Sequence, residues 1–256
     1  MTTPSPVSRG EFGARVAVPR ILKVLERENV TSTFFIPGKT IETWPDLCRE
    51  ILDKGHEIAH HGYQHVSPMG LSKDEERAQL QAGLDAMATH LDGYRAVGYC
   101  SPVSDLGAHT LELLIELGFV YDATMSAQDF EPYRVRLGDV VDADATVTFG
   151  QESSLVEVPF TWSLDDFPQM EFVWGQLEGL ADPRKSESMW LDDMDYMFEE
   201  VPNGVYPMCF HPQVIGRGSR MRVLERMIAR GKEHGGVFKT FREAAEDWAD
   251  ANPLTG

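Results

Sequence analysis

The sequence predicts an α/β fold with a parallel sheet, and it favours a (β/α) barrel over a doubly wound sheet. Helical stripes of apolar residues alternate with short β-rich runs along most of the 256 residues, as is typical of parallel sheets. Polar side chains also fall at or just beyond the ends of predicted strands, which is where catalytic groups converge in a barrel. These residues are His61, Ser101, Asp122, Asp165 and His211.

The alternation begins with a helix from Val18 to Leu25 and a strand from Thr31 to Ile36 that ends at a Pro-Gly pair. Ser72 and Glu75 have the spacing of a capping box in front of the longest early helix. Residues 123–152 are less regular. Further helices are predicted at residues 44–52, 80–91, 111–115, 189–198, 221–229 and 241–248, and further strands at 57–61, 97–100, 119–121, 155–160 and 205–210.

The composition indicates one domain over residues 1–256, with residues 1–10 flexible, because no linker, repeat or low-complexity block interrupts the chain. A formal net charge of -18 would repel a phosphate backbone, so we expect no nucleic-acid partner. The sequence contains neither a signal-peptide pattern nor a run of 18 apolar residues, so we expect a cytoplasmic protein with no membrane partner. Cysteines at 48, 100 and 209 lack metal-site spacing, which fits a reducing compartment.

Four histidines occur within residues 55–65, at positions 56, 60, 61 and 65. His61 and His65 are four residues apart, and two imidazoles at this spacing can face one divalent metal ion where the chain turns after a strand. A single histidine is more often structural, so spacing alone leaves both interpretations open.

Two further places carry groups suited to acid–base chemistry. His211 follows an apolar run and precedes a proline, where it can act as a general acid or simply hydrogen-bond a loop carbonyl. Asp165 and Asp166 can bind a metal, orient a histidine or cap a helix.

Arg217, in a glycine-rich loop, can bind a carboxylate or remain solvated, and the loop lacks the pattern of a phosphate loop.

In order along the chain, a set of motifs resembles the polysaccharide deacetylases of the NodB-homology type over residues 10–248. Within that family, residues 162–166 and the Gly216-Arg217 loop resemble the allantoinase-like and cyclic-imidase-like branch and its peptidoglycan-deacetylase homologues. The motifs are Thr33-Phe34-Phe35-Ile36-Pro37-Gly38, Gly55-His56-Glu57-Ile58 leading to His61 and His65, Gly98-Tyr99-Cys100-Ser101-Pro102, Tyr121-Asp122 and Phe210-His211-Pro212.

The resemblance implies an irregular (β/α) barrel of the NodB-homology type and a role in carbohydrate metabolism. It implies that His61 and His65 bind a divalent metal, with zinc the expected ion, and that His211 acts as general acid while water attacks an amide carbonyl. It also implies a homotetramer. The residues expected to contact substrate are Ser101, Pro102, Trp162 and Arg217.

Two family features are absent from this sequence. The family's first strand, ending in an Asp pair that supplies the base and a third metal ligand, would lie upstream of residue 10, and residues 1–9 contain no acidic residue. The Arg-x-Pro motif reads Cys100-Ser101-Pro102. A late start, a truncated chain and a changed function all remain open. In the last case, Asp165 or Asp166 would replace the missing carboxylate, or the site would hold no metal.

We therefore expect a hydrolase of non-peptide C–N bonds, acting on a small-molecule amide or cyclic imide or on an N-acyl group. The alternative is a catalytically silent barrel that binds a small ligand or serves as a scaffold, which the missing Asp motif favours. A third possibility, lyase or isomerase chemistry at Cys100, would require an exposed thiol at Cys100 beside a histidine.

Overall fold

The computed structural model describes residues 4–173, 175 and 177–254, and the chain forms two compact units. Unit 1 contains Met1–Thr31 and Thr161–Phe238, and unit 2 contains Ser32–Phe160 and Lys239–Gly256. The chain passes between the units three times, so the division does not coincide with a single linker. The single domain stays a prediction.

Unit 2 contains a six-stranded sheet with the order β1-β2-β3-β4-β8-β5. Its first five strands are parallel, and only β5 runs antiparallel to its neighbour. The predicted α/β fold with a parallel sheet is confirmed. The strands of unit 2 are β1 (Thr33–Ile36), β2 (Glu57–His60), β3 (Gly98–Tyr99), β4 (Tyr121–Asp122), β5 (Tyr133–Leu137), β6 (Val140–Val141), β7 (Val147–Thr148) and β8 (Gln151–Glu157), and those of unit 1 are β9 (Phe172–Val173) and β10 (Leu177–Glu178).

The helices follow the predicted alternation, with some shifted ends. A π-helical turn occupies Gly13–Ala17 and a 3₁₀ turn occupies Trp162–Leu164. The helices are α1 (Pro4–Phe12), α2 (Val18–Glu28), α3 (Gly38–Thr43), α4 (Pro45–Asp53), α5 (Lys73–His90), α6 (Thr110–Glu116), α7 (Asp166–Met170), α8 (Pro183–Glu200), α9 (Pro212–Ile215), α10 (Gly218–Glu233) and α11 (Phe241–Ala251).

Helix α5 begins at the predicted capping box and closely approaches the side chain of His60. Ser72 accepts a hydrogen bond from the Glu75 N–H, and the Glu75 carboxylate accepts one from the Ser72 N–H, so two N–H groups of the first turn are satisfied. At Gly83, a Cβ atom would lie only 2.2 Å from His60 Nε2. The missing side chain therefore allows the helix to approach the histidine at the end of β2.

A hydrophobic core within unit 2 holds the strand ends in place. It joins residues from α5, β3, α6, the segment after α6, β5 and β8 that are at most 5% exposed. Burial of each large apolar side chain stabilises the fold by about 1.5–3 kcal/mol. Its members are Leu80, Leu84, Tyr99, Leu113, Leu114, Phe119, Val135 and Leu155.

In unit 1, the predicted strand at residues 205–210 is wrong. The structure has only an isolated parallel bridge there, between Asp165 and Cys209. Pro207 provides a physical reason, because it lacks the N–H group that a ladder requires. Helix α8 begins six residues before the predicted start of 189, because Asp182 caps it and Pro183 occupies its first position.

Helix α1 lies where the sequence predicts no element, and none of its residues is buried. Helix α2 buries the predicted apolar face, which includes Val18, Ile21, Leu22 and Leu25. The flexibility predicted for residues 1–10 concerns motion and stays a prediction.

Candidate active-site clusters

The predicted metal-binding pair, His61 and His65, lies directly after β2 in unit 2. The centroids of the two rings are 5.0 Å apart, and the ring planes meet at 71°. His61 Nδ1 donates a hydrogen bond to the Cys100 carbonyl oxygen at 2.8 Å. This bond requires the proton on Nδ1, so Nε2 of the neutral ring is the atom with a lone pair for a ligand. Backbone carbonyls commonly orient metal-binding histidines in this way.

The backbone at His65 adopts a left-handed conformation, with φ of 55°. Residues other than glycine reach this region at a cost of about 1–2 kcal/mol, and such residues concentrate at functional sites. His65 has this left-handed conformation at the position where its ring contacts the ring of His61.

The pair supplies two of the three protein ligands that a catalytic zinc ion usually takes. Across residues 4–173, 175 and 177–254, no third Asp, Glu, Cys or His side chain completes a metal-binding group with them. The pair therefore fits a divalent ion in ligand type, and the Nδ1 bond of His61 leaves its Nε2 as the ligand atom, but two ligands alone form a weak site.

Of the other two histidines of the cluster, His60 is structural. His60 is fully buried, accepts a hydrogen bond from the Gly62 N–H at Nδ1, and donates from Nε2 to the Leu80 carbonyl at 3.0 Å. Burial lowers the pKa of His60 to about 4, so this ring is neutral at neutral pH. Burial also lowers the pKa of His56.

Ser101 and Pro102, which the resemblance places near substrate, are both buried in unit 2. The Ser101 N–H donates to Thr124 Oγ1 at 3.0 Å, and its hydroxyl donates to the Asp105 carbonyl at 2.5 Å. Pro102 lines a small cleft together with Gly62. Contact with substrate stays a prediction for both residues.

Unit 2 also contains a buried carboxyl pair, of which the sequence predicted only one member. Asp122, at the end of β4, lies opposite Glu157 at the end of β8, and both side chains are fully buried. A glutamate inside the apolar run from Leu155 to Phe160 was the available sign of Glu157. Among the described residues, neither carboxylate belongs to a group of three or more His, Cys, Asp or Glu side chains that could hold one metal ion.

Unit 1 contains the predicted general acid, His211, in contact with the predicted carboxylates. Both the ring Nδ1 and the backbone N–H of His211 donate to Asp166 Oδ1, each at 2.9 Å. Asp165 Oδ1 lies 3.4 Å from the same ring nitrogen. Asp165 also caps α7 by accepting from the Phe167 N–H at 2.7 Å, so capping and histidine contact occur together.

The electrostatics of this cluster favour a protonated histidine. Burial lowers the pKa of His211, but the hydrogen bond to Asp166 and the charges of both aspartates raise it by more, so its pKa lies above the ordinary value. Burial raises the pKa of Asp166 to about 6, although its bonds to His211 oppose the shift. The His211 side chain remains 32% exposed. A held, partly exposed imidazole of this kind can deliver a proton.

The sequence did not predict the part taken by Cys209. The bridge between Asp165 and Cys209 brings the thiol beside the carboxylate, and ligand atoms of Asp165, Cys209 and His211 all lie within 4.8 Å of one another. Only the position of Cys209, two residues before His211, hinted at this arrangement.

The remaining predicted substrate residues, Trp162 and Arg217, also lie in unit 1. Trp162 is 52% exposed in the 3₁₀ turn. The Arg217 guanidinium lies 3.6 Å from the centroid of the Phe12 ring, as a cation–π contact. Their contact with substrate stays a prediction.

Comparison with known proteins identifies the family. The Polysaccharide deacetylase family model matches residues 11–121. The peptidoglycan deacetylase of Helicobacter pylori is 34% identical over 264 residues, which cover 98% of this chain and 90% of that protein. The chain belongs to the polysaccharide deacetylase family.

Two other relatives agree with this assignment. The peptidoglycan deacetylase-like protein FGM2 of Gibberella zeae is 32% identical over 266 residues, covering 95% of this chain and 78% of that protein. A Mycobacterium smegmatis crystal structure assigned to the polysaccharide deacetylases has a TM-score of 0.86 and 34% identity, covering 98% of this chain and 82% of that one. The PuuE allantoinase structure, with a TM-score of 0.82 and 24% identity over 99% and 78% of the chains, shares the fold.

The family assignment confirms the resemblance deduced from the motifs. It also confirms the predicted enzyme class, a C–N hydrolase of the deacetylase type. In the described part of this polysaccharide deacetylase-family protein, no helix has both the length and the apolar character needed to cross a membrane.

Proposed function

We propose that this protein hydrolyses the amide C–N bond of an N-acyl group, with an N-acetylated amino sugar as the first substrate class and small cyclic amides as the second. The observation that carries the proposal is the His211–Asp166 pair, with its 2.9 Å hydrogen bond and raised histidine pKa. The name of the Helicobacter pylori relative supports the N-acetyl sugar class.

Cleavage of an amide requires a proton on the departing nitrogen, because an amide anion is a very poor leaving group. His211 Nδ1 is bonded to Asp166, so the proton for the leaving amine is the one on Nε2. The Asp166 carboxylate holds the ring and stabilises its cationic form, as the buried aspartate does in hydrolytic triads. Asp165 adds a second negative charge 3.4 Å from Nδ1.

We assign the divalent metal of the family to His61 and His65, with zinc as the ion. When bound, this ion supplies Lewis-acid polarisation of the acyl carbonyl. The Cys100 carbonyl accepts from His61 Nδ1, so His61 would hold the ion through Nε2. The resemblance also supports a homotetramer, which light scattering of the purified protein tests, and a cytoplasmic location, which fractionation of cells tests.

The test compares His211→Gln with His234→Gln. His234 is a matched control, because it also donates to a carboxylate in unit 1, that of Asp195, at 2.7 Å. We expect His211→Gln to lower the release of acetate from N-acetylglucosamine oligomers by about 100-fold or more, the usual contribution of a general acid. His234→Gln should retain activity. Wild-type rates in His211→Gln would rule out the assigned role.

A second candidate is a ligand-binding protein without hydrolytic activity. It is favoured by the lack of a third ligand for the His61–His65 pair among the residues that the structure describes. Elemental analysis of wild type and of His61→Ala/His65→Ala separates the two candidates. Zinc bound by wild type and lost in the double variant supports the hydrolase, whereas no zinc in either, together with no hydrolysis, supports the binding protein.

A further inference from the structure

We propose that Asp165, Cys209 and His211 form a second metal site, which takes zinc or a similar thiophilic divalent ion, and that its occupancy stops proton transfer by His211. All three residues lie in unit 1, and the site is separate in composition from the His61–His65 pair of unit 2.

The backbone holds two of the ligands side by side. The Cys209 N–H donates to the Leu164 carbonyl at 3.1 Å, and the Asp166 N–H donates to the Cys209 carbonyl at 3.3 Å. These bonds flank Asp165 and pair it with Cys209 as a parallel bridge. The third ligand follows two residues later, at the start of α9, where both the backbone and the ring of His211 are bonded to Asp166.

The distances match a tetrahedral ion. With zinc–oxygen and zinc–nitrogen bonds of about 2.1 Å, neighbouring ligand atoms of a tetrahedron lie about 3.4 Å apart. Asp165 Oδ1 and His211 Nδ1 are separated by 3.4 Å. The ligand atoms of all three residues lie within 4.8 Å of one another, close enough for one ion to contact the sulfur as well as the other two atoms.

The ligand types select the ion. Thiolate, imidazole and carboxylate are the three ligand types of zinc sites, whereas magnesium and calcium prefer oxygen alone. A thiolate at Cys209 and the Asp165 carboxylate together balance the charge of a divalent ion. Asp166 adds a buried carboxylate, whose Oδ2 has no hydrogen-bond partner within the described residues.

Metal binding at this site displaces protons and involves no redox change. The Cys209 thiol and His211 Nδ1 each release a proton to solvent as sulfur and nitrogen bind the ion. The hydrogen bond from Nδ1 to Asp166 is then replaced by a metal–nitrogen bond, so the ring cannot become the cationic acid. The inhibitory consequence rests on the proposed function of His211, but metal binding does not.

The binding test uses Co²⁺, whose bond to a thiolate produces a charge-transfer band in the near ultraviolet. We expect the band on titration of metal-free wild type and its loss in Cys209→Ala. Cys100→Ala is the matched control, because it removes the thiol of the residue whose carbonyl accepts from His61, in the other metal pair. This variant should retain the band. Absence of the band in wild type, or its persistence in Cys209→Ala, overturns the site.

A second variant tests the carboxylate without removing the helix cap. Asp165→Asn keeps an oxygen for the Phe167 N–H but removes the charge, so we expect the Co²⁺ affinity to fall by about 10-fold or more. Unchanged affinity would remove Asp165 from the ligand set.

Inhibition is measured within each variant, as the ratio of amide hydrolysis with excess zinc to that with one equivalent. We expect a low ratio in wild type and a ratio near one in Cys209→Ala. Equal inhibition of both would refute the inhibitory role while leaving the proposed hydrolysis intact. No hydrolysis under any condition would refute the proposed function, and the Co²⁺ band would still decide the metal site.

Discussion

The buried carboxyl pair of unit 2 predicts that the stability of this unit falls as the pH rises. Glu157 Oε1 accepts from the N–H groups of Thr124 and Met125, at 2.7 and 2.8 Å, and Asp122 Oδ1 accepts from the Thr124 hydroxyl at 2.7 Å. The other two oxygens, Asp122 Oδ2 and Glu157 Oε2, have no donor among the described groups. One proton shared between the two carboxyl groups would give both of these oxygens a hydrogen-bond partner.

The size of the effect follows from the shift of Asp122. Burial raises its pKa from 3.8 to about 6, and burial together with the charge of Asp122 raises the pKa of Glu157 well above its ordinary value. The folded state therefore keeps a proton that the unfolded chain releases above about pH 4. The free energy of unfolding falls between the unfolded and folded pKa values. At 1.36 kcal/mol per pKa unit, the Asp122 shift alone corresponds to about 3 kcal/mol.

Glu157→Gln removes the need for the shared proton. The amide oxygen can still accept from the two backbone N–H groups, and the amide nitrogen can donate to Asp122 without a titration. We therefore expect the loss of unfolding free energy between pH 4.5 and pH 8 to shrink by about 2–3 kcal/mol relative to wild type.

Urea unfolding across this pH range measures the change. Glu152→Gln is the matched control, because Glu152 is an exposed glutamate on the same strand, and it should leave the pH dependence as in wild type. The reasoning is refuted if Glu157→Gln keeps the wild-type pH dependence, or if Glu152→Gln reduces it equally.

Two further predictions concern His211 and His60. Asp166→Asn removes the main group that raises the pKa of His211, so the high-pH limb of kcat/KM for amide hydrolysis should move to lower pH, and an unchanged profile would contradict this. Gly83→Ala places a Cβ 2.2 Å from His60 Nε2, so it should lower the free energy of unfolding by about 1–3 kcal/mol in urea titration, whereas a neutral effect would show that the contact relaxes freely.

Local patterns explain how far the sequence could predict the fold. The cap at Ser72 and the apolar face of α2 depend on residues within a few positions of each other, and both occur as predicted. The strand at 205–210 failed because hydrophobicity alone outweighed Pro207 in the prediction. A buried strand and a buried coil have similar composition, and backbone N–H groups distinguish them.

The candidate site could be predicted only in part, because its contacts are nonlocal. His211 and Asp166 are 45 residues apart, and their pairing depends on the single bridge at Cys209. The motif resemblance selected both residues without showing that they touch. Cys209 belongs to no such motif, so only the folded backbone reveals that its thiol lies beside Asp165.

Neighbouring histidines in unit 2 show that environment decides the role of a residue type. His60 uses both ring nitrogens within the core, and its lowered pKa keeps it neutral. His61, the next residue, lies just beyond the end of β2, and its side chain is half-buried. Its Nδ1 bond to a backbone carbonyl then sets which nitrogen has the lone pair for a metal. Adjacent positions thus carry a structural histidine and a proposed metal ligand because their hydrogen-bond partners differ, and His65, four residues further along, is the second proposed ligand.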